Sequence, residues 1–139
     1  MKISIITICY NSEETIEDTI KSVVAQSHTD VEYIVVDGAS KDSTMGIVEK
    51  YKQHIDTVIS EPDKGIYDAM NKGVLAASGE VVGILNSDDF YAHSDVLKDI
   101  DKLFRRTEAE GIYADLVYVN RDDTNEVIRY WKSGPYKVG

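Results

Sequence analysis

The chain has 139 residues, 25 of them acidic and 15 basic, for a net charge of −10. That length suits a single domain with a core of its own. The acidity excludes the basic face that nucleic-acid binding needs and a polybasic membrane anchor; a lone cysteine, Cys9, excludes an internal disulfide and a cysteine-rich zinc site.

Apolar spacing sets out the elements in chain order. Ile3–Cys9 is an isoleucine-rich run broken only by Ser4 and Thr7. It is too short for a helix and reads as a strand buried on both faces, with Cys9 a small buried hydrophobe. Asn11 or Ser12 can cap the next helix, with Glu13 and Glu14 in its first turn. Ile16, Ile20, Val23 and Val24 fall at helical spacing, up to a stop near residues 26–28. Residues 31–36 form a second strand, ending at Asp37-Gly38. Asp42 opens a second helix, with Ile47, Val48 and Tyr51 on one face. Thr57–Ser60 is a third strand, and Glu61-Pro62-Asp63-Lys64-Gly65 a turn-rich loop. A third helix over 66–77 carries Met70, Val74 and Leu75 and ends before Gly79. Residues 81–85 are a fourth buried strand, and a helix over 94–106 follows. Two further strands, 112–120 and 126–130, are turned through 121–125; residues 132–139 have no clear pattern.

This alternation predicts an α/β fold: three α/β/α layers around a mostly parallel sheet. No apolar run approaches the about 20 residues that span a bilayer. Residues 1–6 are too short for a signal peptide and run into the polar segment 10–14. The expectation is a cytoplasmic domain, or one peripheral to the inner face of the plasma membrane.

Open parallel sheets bind ligands beyond the carboxyl ends of their strands. Here those ends are Cys9-Tyr10-Asn11, Asp37-Gly38, residues 61–65 and Asn86-Ser87-Asp88-Asp89. Adjacent carboxylates such as Asp88 and Asp89 repel each other unless a cation or a proton intervenes. Their oxygens suit Mg²⁺ or Mn²⁺; the bland alternative is a solvated turn. Asp37 can accept from a ribose or a base edge, or simply end a turn before a cap at Ser40 or Asp42. Lys64 is either a point charge for a diphosphate or an ordinary exposed lysine. Asp68 and Asn71 share a helix face and either support the site or stand exposed. His28, His54 and His93 show no ligand spacing, and no dinucleotide, Walker or nucleophile-elbow motif occurs.

Three segments in register resemble one family. They are Ser4-Ile5-Ile6-Thr7-Ile8-Cys9-Tyr10-Asn11, Val35-Val36-Asp37-Gly38-Ala39-Ser40-Lys41-Asp42-Ser43-Thr44 and Gly79-Glu80-Val81-Val82-Gly83-Ile84-Leu85-Asn86-Ser87-Asp88-Asp89. Over residues 2–120 the chain resembles family 2 glycosyltransferases of GT-A fold. The stretch from Glu61 to Gly73 is similar to a bacterial subgroup that builds capsule, exopolysaccharide and lipopolysaccharide.

The resemblance implies an inverting, metal-dependent transfer of a hexosyl group from a nucleotide-diphosphate donor (UDP-, dTDP- or GDP-linked) to a saccharide or lipid-linked acceptor. It puts Tyr10 and Asp37 beside the nucleoside, and Asp63, Lys64 and Asn71 near the donor. Asn86 and Asp88 fall on the Asp-x-Asp motif, with Mn²⁺ or Mg²⁺ on Asp88 and assisted by Asp89. Two positions depart from the pattern: Gly38 stands where many members carry a second aspartate, and Asn86 replaces the first aspartate of the motif. Members extend further into an acceptor-binding half that supplies the general base. Residues 1–139 are thus expected to be a single donor-binding domain, truncated before that half, with no catalytic base assignable. The alternatives are a non-catalytic nucleotide-sugar-binding module and a nucleotidyltransferase-like enzyme. The latter needs a Gly-rich basic loop where this chain has Tyr10-Asn11-Ser12-Glu13-Glu14. A receiver-type signalling module needs an acidic pair after the first strand.

Overall fold

The computed structural model describes residues 1–135. It divides into two compact units, Met1–Lys102 and Leu103–Gly139, where the sequence suggests one domain.

The first unit is built on a parallel four-stranded sheet in the order β3-β2-β1-β4. The strands are β1 (Ile3–Cys9), β2 (Val31–Asp37), β3 (Thr57–Ser60) and β4 (Val81–Asn86). All seven residues of β1 are buried, as a central strand between two layers requires. Its side chains alternate. Ile3, Ile5 and Cys9 pack with Ile16, Ile20 and Val23 of α1 (Ile16–Val24), Val48 of α2 (Thr44–Lys50) and Leu97 of α4 (Val96–Arg106). Ile6 and Ile8 face the other way, toward Ala69 of α3 (Ile66–Ala76). Burying each such isoleucine stabilises by roughly 1.5–3 kcal/mol over leaving it exposed. The helices therefore sit on both sides of the sheet, giving the expected three layers.

The polar interruptions of β1 are both satisfied. Thr7 Oγ1 accepts from the buried Tyr33 phenol at 3.1 Å. Ser4 Oγ donates to Glu32 and accepts from the Gly79 N–H.

Several local expectations are corrected. The first helix begins at Ile16, with Thr15 at its N-cap and no side-chain cap. Ser12 contributes its carbonyl to Thr15 and Ile16 instead. The second helix starts at Thr44, after Asp42 Oδ1 has accepted the Thr44 N–H. In α3 the buried positions are Ala69 and Gly73, whereas Leu75 is 87% exposed and Val74 is exposed too. The helix lies so close to β1 that a Cβ on Gly73 would collide with Ile6, and only small residues fit this contact. The start of α4 is capped across the chain: Gln26 Oε1 accepts the Leu97 N–H at 3.0 Å.

The second unit holds an antiparallel pair, β5 (Leu116–Val119) and β6 (Val127–Trp131), shorter than the runs read from sequence at 112–120. Tyr118 pairs with Arg129 and Leu116 with Trp131, and the Arg129 guanidinium lies over both aromatic rings. The patternless stretch at 132–139 falls partly outside the described residues, which end at 135. Among the described residues no helix is long and apolar enough to cross a membrane.

Candidate functional site

The carboxyl ends of all four strands lie on one edge of the sheet, because the strands are parallel and adjacent. A cleft of about 950 Å³ opens there. Tyr10, Asn11, Ser12, Lys41, Asp42, Asp63, Asn86, Ser87 and Asp88 contribute to its walls. Three backbone positions on this rim lie at positive φ: Asn11 at 48°, Ala39 at 63° and Gly65 at 112°. Such conformations persist only where neighbours enforce them.

The enforcing bonds link the loop after β1 to the loop after β2. Asn11 N–H donates to Ser40 Oγ at 2.8 Å, and Asn11 Oδ1 accepts the Lys41 N–H at 2.9 Å. Ser12 N–H donates to Thr44 Oγ1 at 2.8 Å. The Ser12 hydroxyl meets that of Ser87 at 2.8 Å, joining the β1 loop to the end of β4. Thr19 of α1 donates to the Asp89 carbonyl at 2.7 Å, fixing the backbone there.

Asp37 is 0% exposed and lies beneath the cleft rather than on its wall. Its carboxylate accepts from Ser40 N–H at 3.2 and 3.1 Å, Ser40 Oγ at 2.5 Å and Ser60 Oγ at 2.7 Å. The Cys9 thiol approaches it at 3.8 Å. Burial, then the Asp37 charge, pushes that thiol well above its ordinary value, so Cys9 is a protonated core group and a poor nucleophile.

Asn86 closes β4. Its Nδ2 donates to Asp89 Oδ2 at 3.2 Å, while its Oδ1 is buried with no hydrogen-bond partner among the described residues. An orphaned buried acceptor costs about 1–3 kcal/mol and marks a place where a donor or a cation belongs. Beside it, burial and then the Asp88 charge raise the Asp89 carboxyl above its usual range, against the Asn86 amide. Among the described residues no group of three or more His, Cys, Asp or Glu side chains could hold a metal alone. The donor set present is two carboxylates and an amide oxygen. That fits Mg²⁺ or Mn²⁺, which keep waters and take up substrate phosphates in place of a full protein cage.

Tyr10, Asp63, Asn86 and Asp88 are thus brought together on one cleft. Lys64 and Asn71 are exposed and do not line it. The Lys64 N–H donates to Asp68 Oδ2 at 3.0 Å. Lys41 is the cation on the cleft wall among the described residues, and sequence reasoning passed over it. Its signal was its place directly after Ser40 in the strand-end segment. Ser12 and Ser87 were also missed as a linked pair, because nothing local joins positions 75 residues apart.

Residues 4–138 match Glycosyl transferase family 2. The chain belongs to that family. It is 36% identical over 108 residues to TuaG of Bacillus subtilis, a glycosyltransferase assigned to teichuronic acid biosynthesis, covering 76% of this chain and 43% of TuaG. Among solved structures it superposes on Staphylococcus aureus TarS in complex with UDP-GlcNAc, with a TM-score of 0.71 and 31% identity over 78% of this chain and 32% of TarS. Glucosyl-3-phosphoglycerate synthase of Mycobacterium tuberculosis, crystallised with Mn²⁺, UDP and glucosyl-3-phosphoglycerate, matches with a TM-score of 0.57 and 28% identity, covering 67% and 36%. The chain spans less than half the length of each of these relatives. The α/β architecture with its parallel sheet is that of the GT-A transferases, as the sequence segments implied.

Proposed function

We propose that this family 2 domain binds the nucleotide-diphosphate part of a sugar donor in the cleft at the ends of β1, β2 and β4. In this reading it is the donor half of an inverting, metal-dependent hexosyltransferase of surface-polysaccharide assembly. The observation that carries the reading is the buried, unpartnered Asn86 Oδ1 beside the Asp88–Asp89 carboxylates. The ligands in the TarS and glucosyl-3-phosphoglycerate synthase structures supply the donor class and Mn²⁺ by analogy.

Each part of the chain has a task. Tyr10 offers a ring that is 60% exposed at the cleft mouth, suited to stacking on a base. Asp37 acts from below, holding Ser40 and Ser60 so that the rim keeps its shape. Lys41 gives the otherwise acidic wall a cation for phosphate oxygens. Asn86, Asp88 and Asp89 would hold a divalent ion, which when bound neutralises charge on the departing diphosphate. The acceptor hydroxyl oxygen bonds to the anomeric carbon as that carbon's bond to the diphosphate oxygen breaks, inverting the centre. The hydroxyl proton leaves to a base outside residues 1–139. The acceptor is a saccharide or a lipid-linked one, met at the cytoplasmic face of the membrane.

Thermal unfolding with Mn²⁺ and UDP, dTDP, GDP or CDP tests this. A site filled at about 100 times its Kd adds ~2.7 kcal/mol, several degrees for a domain of this size. The reading expects that gain for at least one nucleotide, only with metal, and not in Asp88→Ala. A folded protein that responds to none of them would overturn it.

A further inference from the structure

Gly38 faces a carboxylate from a different loop. A Cβ built on Gly38 would lie 2.5 Å from Asp63 Oδ2 and 3.4 Å from Tyr10 Cδ2. The missing side chain thus leaves a space bounded by the Tyr10 ring and the Asp63 carboxylate, and both residues line the cleft. Asp63 is fixed there. Its Oδ1 accepts the Gly65 N–H at 2.9 Å. Its loop is tied down by Glu61 N–H to the Asp37 carbonyl at 3.0 Å and by Lys72 Nζ to the Pro62 carbonyl at 3.0 Å and to Glu61 at 3.0 Å. No hydrogen bond reaches Asp63 Oδ2 among the described residues. Asp37, the other acid at this strand end, has both oxygens engaged internally.

We infer that Asp63 Oδ2, held over Gly38 beside the Tyr10 ring, selects the donor's base by accepting a ring N–H. The inference rests on the donor-site reading above and names its substrate class. A base stacked on Tyr10 turns one edge toward an oxygen that can only accept. Uracil, thymine and guanine each present a ring N–H. Cytosine and adenine present a bare ring nitrogen at the equivalent place, where two lone pairs would oppose each other. Specificity of this kind comes from the mismatch as much as from the match.

Calorimetric titration of UDP, dTDP, GDP, CDP and ADP at saturating Mn²⁺ tests it. One of the first three should bind at least about tenfold tighter than CDP and ADP, the value of one charge-assisted hydrogen bond. Asp63→Ala should bring that ratio to within about threefold by weakening the preferred nucleotide while CDP stays unchanged. Gly38→Ala, whose new Cβ displaces Oδ2, should do the same with Asp63 chemically intact. Circular dichroism establishes that each variant is folded. If nucleotides bind and both folded variants keep the wild-type ratio, selection by Asp63 is refuted and the donor site stands. If no nucleotide binds the folded wild type, the donor site and this inference fall together.

Discussion

Replacing Glu32 by Gln should destabilise the first unit in a pH-dependent way. The Glu32 carboxylate accepts from Ser4 Oγ, from Ser78 N–H at 2.7 Å and Oγ at 2.6 Å, and from Lys2 Nζ at 3.0 Å. It binds β1, β2 and the turn before β4 into one joint. Those bonds, the Ser4 hydroxyl first, then the Ser78 N–H and hydroxyl, and last Lys2, hold its carboxyl down from 4.5 to about 2. A drop of that size corresponds to at most roughly 3 kcal/mol. Lys2 is 39% exposed, and solvent screening of its share reduces this to about 2 kcal/mol. The folded value lies below the unfolded one, so the stabilisation is complete above about pH 4.5 and disappears as pH falls toward 2. Urea unfolding followed by far-UV circular dichroism measures it. Wild type should exceed Glu32→Gln by about 2 kcal/mol at pH 7, and the gap should shrink steadily between pH 5 and pH 3. A gap under about 0.5 kcal/mol at pH 7, or one that does not change with pH, would refute the reasoning.

Other outcomes follow from the same geometry. Asp37→Ala strands the Ser40 N–H and two hydroxyls in the interior. It should cost at least about 2 kcal/mol in urea unfolding and weaken nucleotide binding, although Asp37 is not on the cleft wall. Gly73→Ala forces a methyl group against Ile6 and should cost about 1–3 kcal/mol, read as a lower urea midpoint with an unchanged slope. The Cys9 thiol, buried and held protonated, should react with iodoacetamide only at the rate of unfolding; rapid labelling of the folded protein would contradict its placement.

The layers of the fold were legible because burial imposes period. Ile3–Cys9 could be read as a central strand from its isoleucines, and Ile16, Ile20 and Val23 as a buried helical face. The helix starts were not legible, since capping side chains can be claimed by distant partners. Ser12 looked like a cap, but its hydroxyl is taken by Ser87 and the Tyr10 carbonyl. Asn11 sits at positive φ and uses its side chain to hold the Lys41 N–H. α3 misled for another reason: apolar Val74 and Leu75 suggested a core face, while the closest packing falls on Gly73.

The site shows the same division. Acidic residues at strand ends pointed to the correct edge of the sheet, and Asp63, Asn86 and Asp88 do line its cleft. Pattern could not separate the acid on the wall from the acid beneath it. The burial of Asp37 depends on Ser40 and Ser60, which lie on separate loops. Nor could it show that the Asp63 carboxylate fills the space left by Gly38, because only the folded chain brings the two together.

The central claim is a shared site for a divalent ion and a nucleoside diphosphate at Asn86, Asp88 and Asp89. Titrating Mn²⁺ by electron paramagnetic resonance, with and without the nucleotide that stabilises the protein most, tests it directly. If the two ligands share the site, nucleotide must tighten Mn²⁺ binding by the same factor that Mn²⁺ tightens nucleotide, about 5–150-fold for a typical coupling. Asp88→Ala should abolish that coupling. Tight Mn²⁺ binding that no nucleotide alters, or coupling that survives in a folded Asp88→Ala protein, would contradict the account.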